Sequence, residues 1–273
     1  MINSNHENRE FPLFSIVIAA YNRLPLLKEA VISALDQSLK SSEVLVIDDG
    51  SDEETKAWLI EKSYKIDRMR VIHQKHQGIP SARQAGLIEA RGKLVCILDS
   101  DDRLSPNALE RIHSVFQRNP EVALVYTNII QNYGGGRKKK VFYPHFRNNR
   151  EMIRAILIRA KVPFKHSGTT YRRELALKVG GYDRNLPLKI DIDLFLKFLI
   201  AGYRLILLDD HLVEYRFHKN SASGKRITGL KAWWRLIRRY GPSNRLGQLY
   251  IFGVRSCAEL AKLIYSKIFS HPY

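Results

Sequence analysis

The sequence has little cysteine and no long apolar run. Of its 273 residues only two are cysteine, Cys96 and Cys257, far apart in the chain. Two isolated thiols exclude a disulfide framework and a cysteine-based zinc cluster, so a reducing compartment is expected. No stretch reaches the roughly 18 uninterrupted apolar residues of a membrane-spanning helix, and the polar N-terminal segment lacks the apolar core of a signal peptide. The sequence therefore predicts a cytoplasmic protein, either free or attached peripherally to the inner face of the cell membrane.

Acidic residues are scarce in two blocks of the sequence. The formal net charge is +18, although 26% charged and 45% hydrophobic residues are ordinary for a globular protein. Residues 137–178 and 216–273 each carry a net charge of +11, whereas residues 1–136 and 179–215 each carry −2. A basic nucleic-acid-binding protein is therefore one hypothesis. No nucleic acid partner is expected, however, because no known binding module is present and acidic clusters at strand ends would repel such a ligand.

Short apolar runs alternate with amphipathic helical patterns in the first part of the chain. The runs lie at residues 14–20, 44–47, 70–73 and 93–98. Their apolar residues are contiguous and do not alternate with polar ones, as is typical of parallel strands buried on both faces. The alternation predicts an α/β fold with a doubly wound, mostly parallel central sheet flanked by helices. Later in the chain, the patterns predict a helix at 105–118 and strands at 122–130, 204–208 and 212–217.

An acidic cluster directly follows the fourth apolar run. Asp99, Asp101 and Asp102 lie at the predicted carboxyl end of a strand, where open α/β sheets bind ligands. Such closely spaced carboxylates stay ionised most readily when a divalent cation or hydrogen-bond donors neutralise them. A metal site is one hypothesis. The other is a loop that caps the helix beginning near Ser105 and Pro106, because Asp and Ser are favoured at helix N-termini for their hydrogen bonds alone.

Further short motifs follow one another in a definite order. They are Ala20-Tyr21-Asn22; Asp48-Asp49-Gly50-Ser51; Gly78 with Ala82 and Arg83; Asp99-Ser100-Asp101-Asp102; Gly180-Gly181-Tyr182-Asp183; Asp191-Ile192-Asp193-Leu194; and Tyr215-Arg216 with His218. Each fragment is common alone. Their joint order over residues 14–223 resembles that of the inverting glycosyltransferases of family 2, which have the GT-A fold. The C-terminal part of the chain lies outside the resemblance.

The resemblance implies a domain organisation and an activity. Residues 13–223 would form a GT-A catalytic domain, with a nucleotide-binding half at 13–130 and an acceptor-binding half at 131–223, preceded by a polar extension at 1–12. The implied reaction moves a sugar, with inversion, from a nucleotide-diphospho-sugar, expected to be a UDP-sugar, to a hydroxyl of a glycan or lipid-linked acceptor in bacterial cell-surface polysaccharide synthesis. A divalent cation, Mn²⁺ or Mg²⁺, would bind the diphosphate as a Lewis acid.

The resemblance also assigns roles to the acidic cluster and to a late histidine. Asp101 is expected to bind the metal and Asp99 the ribose, with Asp102 assisting. His218 resembles a histidine that joins the metal or the diphosphate, and Arg216 is expected to help hold the diphosphate. The alternative for His218 is an ordinary surface or packed histidine.

The first two strand ends and one helix supply the expected nucleotide contacts. By the resemblance these are Ala20, Tyr21, Asn22, Asp48, Asp49 and Arg83. The main chain at Ala20 would meet the base, Tyr21 would stack nearby, and one of the two aspartates would accept the uracil imide hydrogen. The alternatives are an ordinary turn after Asp49 and a helix-surface arginine at position 83.

Asp191 matches the position of the family's catalytic base. A base must take the proton of the attacking hydroxyl, and a carboxylate within hydrogen-bond reach can do so. One departure is that Ile190 stands immediately before Asp191, where the family usually has a further acid. Asp193 is the second choice for the base. Alternatively, both aspartates act only as an N-cap and a first-turn acid of a helix. His166 and Ser167 fall where the family builds part of the acceptor wall.

Residues 224–273 form a basic amphipathic helical tail with interleaved aromatic residues. An interfacial helix on an anionic membrane is one interpretation. A helical hairpin packed on the catalytic domain with a solvated basic face is the other. A sugar nucleotidyltransferase would need a glycine-rich basic loop after the first strand, and residues 20–24 form no such loop. A non-catalytic relative that binds a nucleotide sugar is the remaining alternative.

Overall fold

Strands and helices alternate through the described part of the chain, residues 11–159, 162–217 and 226–268 of this computed structural model. The strands are β1 Phe14–Ala20, β2 Ser42–Asp48, β3 Met69–His73, β4 Leu94–Asp99, β5 Arg103–Leu104, β6 Val122–Asn132, β7 Lys138–Val141, β8 Thr170–Arg172 and β9 Arg204–Arg216. The helices are α1 Leu24–Leu35, α2 Glu53–Lys65, α3 Ile79–Glu89, α4 Ala108–Arg118, α5 Asn149–Ile158, α6 Arg173–Lys178, α7 Ile190–Ile200, α8 Arg226–Tyr240 and α9 Arg245–Ile268.

The described strands join in one sheet with the order β3-β2-β1-β4-β8-β6-β9-β5, and β7 pairs with β6. β1 is parallel to β2 and β4, and β2 is parallel to β3. β8 runs antiparallel between β4 and β6, and β6 and β9 are parallel. The predicted α/β class with a central sheet flanked by helices is confirmed. Each antiparallel pair among the described strands includes at least one of the later strands β6 to β9.

Both faces of the sheet are buried, as the continuously apolar strands predict. On one face Ile16 and Ile18 pack with α1 and α4. On the other face Val17 and Ile47 pack with α3, α5, α7 and α8. Alternation along a strand sends neighbouring side chains to opposite faces, so a run apolar at every position fills two cores.

Two predicted boundaries are wrong. The strands expected at 204–208 and 212–217 are one strand, β9, because β6 pairs with its whole length through two irregular steps in register near Asn128. The helix expected at 105–118 begins at Ala108, because the chain before it makes a turn closed by the Ala108 N–H and the Ser105 carbonyl at 3.0 Å.

The C-terminal hairpin α8–α9 packs into the second core, which is the one on the sheet face covered by α3, α5 and α7. Trp233, Leu236 and Ile237 of α8 and Ile251 of α9 are buried in it. Arg255 of α9 is also buried, and it donates a hydrogen bond of 2.8 Å to the Leu157 carbonyl at the end of α5. One face of the hairpin is therefore integral to the fold. No helix in the described residues combines the length and the apolar character needed to cross a bilayer.

Candidate functional site

The parallel strands β1, β2 and β4 end together at one edge of the sheet. Ala20 is in register with Asp48, and Ala19 is in register with Asp99. The loops that follow these strands carry the motifs Tyr21-Asn22, Asp49-Gly50-Ser51 and Ser100-Asp101-Asp102. Because carboxyl ends of parallel strands form the ligand-binding edge of such sheets, residues far apart in sequence are brought to one place.

The acidic cluster, Asp99, Asp101 and Asp102, converges in a tight turn. The Asp102 N–H donates to the Asp99 carbonyl at 3.0 Å, and one carboxylate oxygen from each residue lies within 4.8 Å of the other two. Asp102 is fully buried. Burial, and then the charges of Asp99 and Asp101, raise the pKa of Asp102 well above its usual range. The turn therefore brings three carboxyl groups together at the end of β4, and that of Asp102 is shielded from water.

Two arginines approach the acidic cluster from different elements. Arg83 of α3 is buried, donates to the Val17 carbonyl at 3.0 Å and forms an ion pair with Asp99. Arg23, at the start of α1, pairs with Asp101 at 3.2 Å. The guanidinium of Arg83 thus links the middle of β1 to the end of β4 and holds Asp99, and it is not a helix-surface group.

The β1 and β2 ends are tied to each other. The Ala20 carbonyl accepts from the Asp49 N–H at 2.8 Å. Asn22 has a left-handed backbone with φ 56°. Its N–H donates to the Ser51 hydroxyl at 2.9 Å, and its side-chain oxygen accepts from the Asp52 N–H at 2.8 Å. Asn22 therefore fixes the spacing of the two loops, and the strained backbone is held by both contacts.

Tyr21 lies over this edge and stacks on His76, with ring centroids 4.1 Å apart and planes at 26°. The tyrosine ring remains half exposed. A flat aromatic surface of this kind suits stacking by a planar ligand.

Asp48 and Asp49 are both buried but serve different neighbours. Asp49 accepts from the N–H groups of Gln77 at 2.9 Å and Gly78 at 2.8 Å, so it binds the loop that leads into α3. Asp48 accepts from the Ser51 N–H at 3.0 Å and contacts His73 Nδ1 at 2.8 Å. Asp48 also lines a cleft of about 560 Å³ whose other walls are Gly50, Lys56, Ile60, His73, Gln74, Lys75 and His76.

His166 and Ser167 lie beside the acidic cluster. The Ser167 hydroxyl accepts from the Asp99 N–H at 3.3 Å. His166 Nε2 is 2.9 Å from the hydroxyl of Tyr182, which is 3.1 Å from that of Tyr171. Burial, and then the charge of Arg83, lower the pKa of His166 to about 4. The imidazole is therefore neutral at neutral pH.

Lys165 is a site residue that no sequence motif indicated. Its ammonium lies 4.3 Å from the centroid of the Tyr215 ring. Burial lowers the pKa of Lys165, and the negative charges of Asp191, Asp102 and Asp99 act against that shift. The ammonium is thus within electrostatic reach of both the acidic cluster and Asp191, which lie on opposite halves of the chain.

The two aspartates of α7 have different surroundings. Asp191 is partly buried in the first turn, and its negative charge acts to raise the pKa values of Lys165 and His166. Asp193 is fully buried, and its carboxylate contacts Arg239 at 3.0 Å, the Tyr240 hydroxyl at 2.8 Å and Lys197 at 2.9 Å. The structure brings only Asp191 to the site and leaves Asp193 in contact with α8.

Arg216 contributes its main chain to the acidic cluster. Its N–H donates to Asp102 at 2.9 Å, whereas its guanidinium pairs with Glu29 of α1 at 3.2 Å. The side chain is therefore directed to α1 in this structure. His218 lies outside the described residues.

The sequence and the structure are similar to those of known proteins. The family model described as glycosyl transferase family 2 matches residues 15–180. Chondroitin synthase of Escherichia coli is 40% identical over 119 residues, which are 44% of this chain and 17% of that protein. Hyaluronan synthase of Pasteurella multocida is 32% identical over 204 residues, 74% of this chain and 20% of that protein. The chain thus spans well under two thirds of the length of these two synthases.

A relative of similar length and two solved structures extend the likeness. The amylovoran biosynthesis glycosyltransferase AmsE of Erwinia amylovora is 25% identical over 229 residues, 83% of this chain and 82% of that protein. TarS 1-349 of S. aureus superposes with a TM-score of 0.68 at 18% identity, covering 95% of this chain and 75% of that one. The mannosyltransferase PcManGT of Pyrobaculum calidifontis, in complex with GDP-Man and Mn²⁺, gives a TM-score of 0.63 at 17% identity, covering 93% and 76%.

Proposed function

The chain belongs to glycosyl transferase family 2, and on that premise we propose that it transfers a sugar from a nucleotide-diphospho-sugar to an acceptor hydroxyl, with inversion at the anomeric carbon. The observation that carries the proposal is the convergence of three carboxylates at the carboxyl end of β4, together with Lys165, whose charge interacts both with this cluster and with Asp191. A group bound between them would have a carboxylate base on one side and a diphosphate-binding edge on the other.

The proposed donor is a UDP-sugar. TarS has been solved in complex with UDP and with UDP-GlcNAc, and PcManGT with GDP-Man, which supports a nucleotide-sugar donor in general. The exposed ring of Tyr21 and the cleft beside Asp48 offer stacking and a hydrogen-bond acceptor for a nucleobase. The ion pair with Arg83 fixes Asp99, which supports its proposed role as the acceptor of a hydrogen bond from a ribose hydroxyl.

The acidic cluster fits a divalent cation. Oxygen ligands from three carboxylates within 4.8 Å of one another suit Mg²⁺ or Mn²⁺. Burial, and then the charges of Asp99 and Asp101, raise the pKa of Asp102, and a bound cation would offset the repulsion among these carboxylates. Asp101 would hold the ion, with Asp99 and Asp102 beside it. When bound, such an ion supplies Lewis-acid stabilisation of the diphosphate.

The residues of the chain account for the rest of the reaction. Asp191 takes the proton of the acceptor hydroxyl. At the same time the hydroxyl oxygen bonds to the anomeric carbon, and the bond from that carbon to the diphosphate breaks. The ammonium of Lys165 stabilises the negative charge that develops on the departing diphosphate. His166, neutral and bonded to Tyr182, forms with Ser167 the wall against which the acceptor lies.

The proposed acceptor is a glycan or lipid-linked saccharide of a surface polysaccharide. Relatives named for amylovoran and teichuronic acid biosynthesis support this class. We further propose that the outer face of α9 contacts an anionic membrane. Its exposed apolar residues share one stripe at helical spacing, namely Leu246, Leu249, Tyr250 and Leu260, and they lie in the block of residues 216–273 with net charge +11.

Thermal unfolding with UDP and Mn²⁺ tests the donor and the metal together. The melting temperature is expected to rise with UDP and Mn²⁺ present, because ligands that bind the folded state stabilise it, and to rise less with UDP alone. Asp101→Ala should abolish the effect of Mn²⁺ on UDP binding. A nucleic-acid-binding protein would show no such metal-dependent rise, and an unchanged Mn²⁺ effect in Asp101→Ala would contradict the ligand assignment. Release of UDP or GDP from a panel of nucleotide sugars would then identify the donor.

A further inference from the structure

The C-terminal end of α8 makes polar contacts with the segment that leads into α7. Arg235 donates to the Asn185 carbonyl at 2.9 Å. Arg239 donates to Asp183 and to Asp193, each at 3.0 Å. These contacts reach residues on both sides of Asp191 in the chain.

Asp193 depends on α8 for its neutralisation. The carboxylate is fully buried, and its partners are Arg239, Tyr240 and, one turn along α7, Lys197. A buried charge is tolerated only when counter-charges and hydrogen bonds replace the lost water. Two of the three partners come from α8, so α8 supplies much of the neutralisation of this buried aspartate, and Lys197 of α7 supplies the rest.

Another residue of α8 lies near Lys189, the residue that immediately precedes α7. Lys189 has a left-handed backbone with φ 67°, a conformation that costs a non-glycine residue free energy and persists where the surroundings fix it. Its ammonium lies 5.9 Å from the centroid of the Trp233 ring. Trp233 is buried in α8, and the guanidinium of Arg255 lies 3.8 Å from the same ring.

Asp191 has no comparable anchor of its own. Within residues 11–159, 162–217 and 226–268, its carboxylate accepts no hydrogen bond and forms no ion pair, whereas Asp183 and Asp193 each form one with Arg239. The position of the Asp191 side chain is therefore set by the main chain of the α7 first turn, and that turn is fixed by its neighbours.

We propose that Arg239 and Tyr240 of α8 are positioning residues, which hold the 183–193 segment and thereby place Asp191 opposite the sugar-diphosphate site. This inference rests on the proposed function, because it takes Asp191 as the base. It gives the C-terminal hairpin a part in the transfer step, although no residue of that hairpin is needed to touch the donor.

Arg239→Ala and Arg238→Ala form a matched pair for the test. Arg238 is the adjacent exposed arginine and forms no ion pair or hydrogen bond in the described structure. Hydrogen exchange in the wild type and both variants reports on the segment without requiring activity. Arg239→Ala should speed exchange of amides 183–193 by about tenfold or more, and Arg238→Ala should leave it unchanged. Equal protection in all three proteins would overturn the proposal.

Kinetics separate positioning from a general loss of structure. In Arg239→Ala we expect kcat to fall by about tenfold or more while the KM for the donor and the UDP-induced rise in melting temperature stay near the wild-type values. Arg239→Lys, which keeps the charge, should recover part of kcat, and Tyr240→Phe should lower it less. If the donor KM rises in parallel with the loss of kcat, or if Arg239→Ala is fully active, Arg239 does not position the base.

Failure of the proposed function has a different signature. A wild-type protein that releases no nucleotide from any sugar donor, or an Asp191→Asn variant with full transfer activity, removes the proposed reaction or its base. The hydrogen-exchange difference between Arg239→Ala and Arg238→Ala would persist in that case, because it depends on the α8 contacts alone.

Discussion

Asp191 and Asp193 carry the same side chain two positions apart in α7, yet their surroundings give them different chemistry. Successive helical residues are rotated by about 100°, so positions two apart point to nearly opposite sides. Asp193 is enclosed by cationic and hydroxyl partners from α7 and α8. Asp191 is only partly buried, and its carboxylate is left open, with no hydrogen bond or ion pair to any of the described residues. Only the open carboxylate can accept a proton from a substrate.

Replacing the open aspartate should remove transfer without disturbing the fold. Asp191→Asn is expected to keep UDP binding and the melting temperature while transfer falls by about two orders of magnitude or more, the scale of general base catalysis. Asp193→Asn is the matched comparison, and it should lower the melting temperature because three neighbours lose their anionic partner. Measured turnover of Asp191→Asn equal to the wild type would exclude it as the base.

His166 should make stability depend on pH below neutrality. Its pKa is lowered from 6.5 to about 4 in the folded protein, first by burial. As the pH falls from about 6.5 to about 4, the unfolded chain binds a proton at this position and the folded chain does not. The free energy of unfolding that this group contributes above about pH 6.5 is therefore lost as the pH falls to about 4.

The His166→Gln variant isolates that contribution. Glutamine can still bond to Tyr182 but does not titrate, so the free energy of unfolding should fall less between about pH 7 and about pH 4.5 than in the wild type. Urea denaturation at both pH values measures the difference. Parallel losses in the two proteins would show that other groups dominate acid unfolding.

Motifs identified some of the residues at this site but not all of them. The acidic cluster was placed correctly because consecutive carboxylates after an apolar strand can only lie at the strand end. Lys165 and Arg23 have no such signal, since a lysine in a basic block or an arginine at a helix start is ordinary. The contact between Arg239 and Asp193 joins residues 46 positions apart, and single-sequence patterns carry no information on such pairs.

At the scale of elements, the sequence patterns predicted the type of the main helices and strands better than their limits, whereas the short strands β5 and β7 were not predicted. Strands β1, β2 and β4 are buried at nearly every position and mostly apolar, because both faces of the sheet are covered, and that character is visible in the sequence. β9 reads as two strands because polar residues 209–211 interrupt its apolar pattern. Pairing with β6 nevertheless carries the strand through them, so tertiary pairing overrides local composition.

The packing of α3 on β1 depends on the absence of a side chain at Gly86. A Cβ built there would lie 2.3 Å from Val17 Cγ1 and 3.4 Å from Ile47 Cγ1. Gly86→Ala should therefore destabilise the fold by about 1–3 kcal/mol, the usual cost of overpacking a core. Because Arg83 is on the same helix, displacement of α3 should also weaken UDP binding.

A glycine in open surroundings provides the control for that substitution. Among the described residues, no atom outside the local α9 backbone lies within 4 Å of a Cβ built at Gly253, in the interior of α9. Gly253→Ala should therefore stabilise the protein by about 0.5–1 kcal/mol through helix propensity alone. Urea denaturation of both variants gives the two signs. A stable Gly86→Ala variant would show that α3 can shift without loss.

At the scale of the whole molecule, the C-terminal hairpin has two unlike faces. The inner face fills the second core with Trp233, Leu236 and Ile237 and contacts the segment around Asp191. The outer face of α9 exposes Leu246 by 82% and Tyr250 by 68%. A surface that bound an acceptor-bearing membrane would therefore be joined, through one hairpin, to the placement of the proposed base.

Substituting the outer face should separate membrane binding from catalysis. Burying one leucine in the interface contributes about 1.5–3 kcal/mol, so Leu246→Glu should weaken co-sedimentation with phosphatidylglycerol-containing vesicles by about tenfold or more. Release of UDP from a soluble donor should not change. Ile32→Glu is the matched control, because Ile32 is an exposed apolar residue of α1 at 53%. Wild-type protein that ignores anionic vesicles at low salt, or a wild-type dimer that Leu246→Glu converts to a monomer, would assign this face to something other than a membrane.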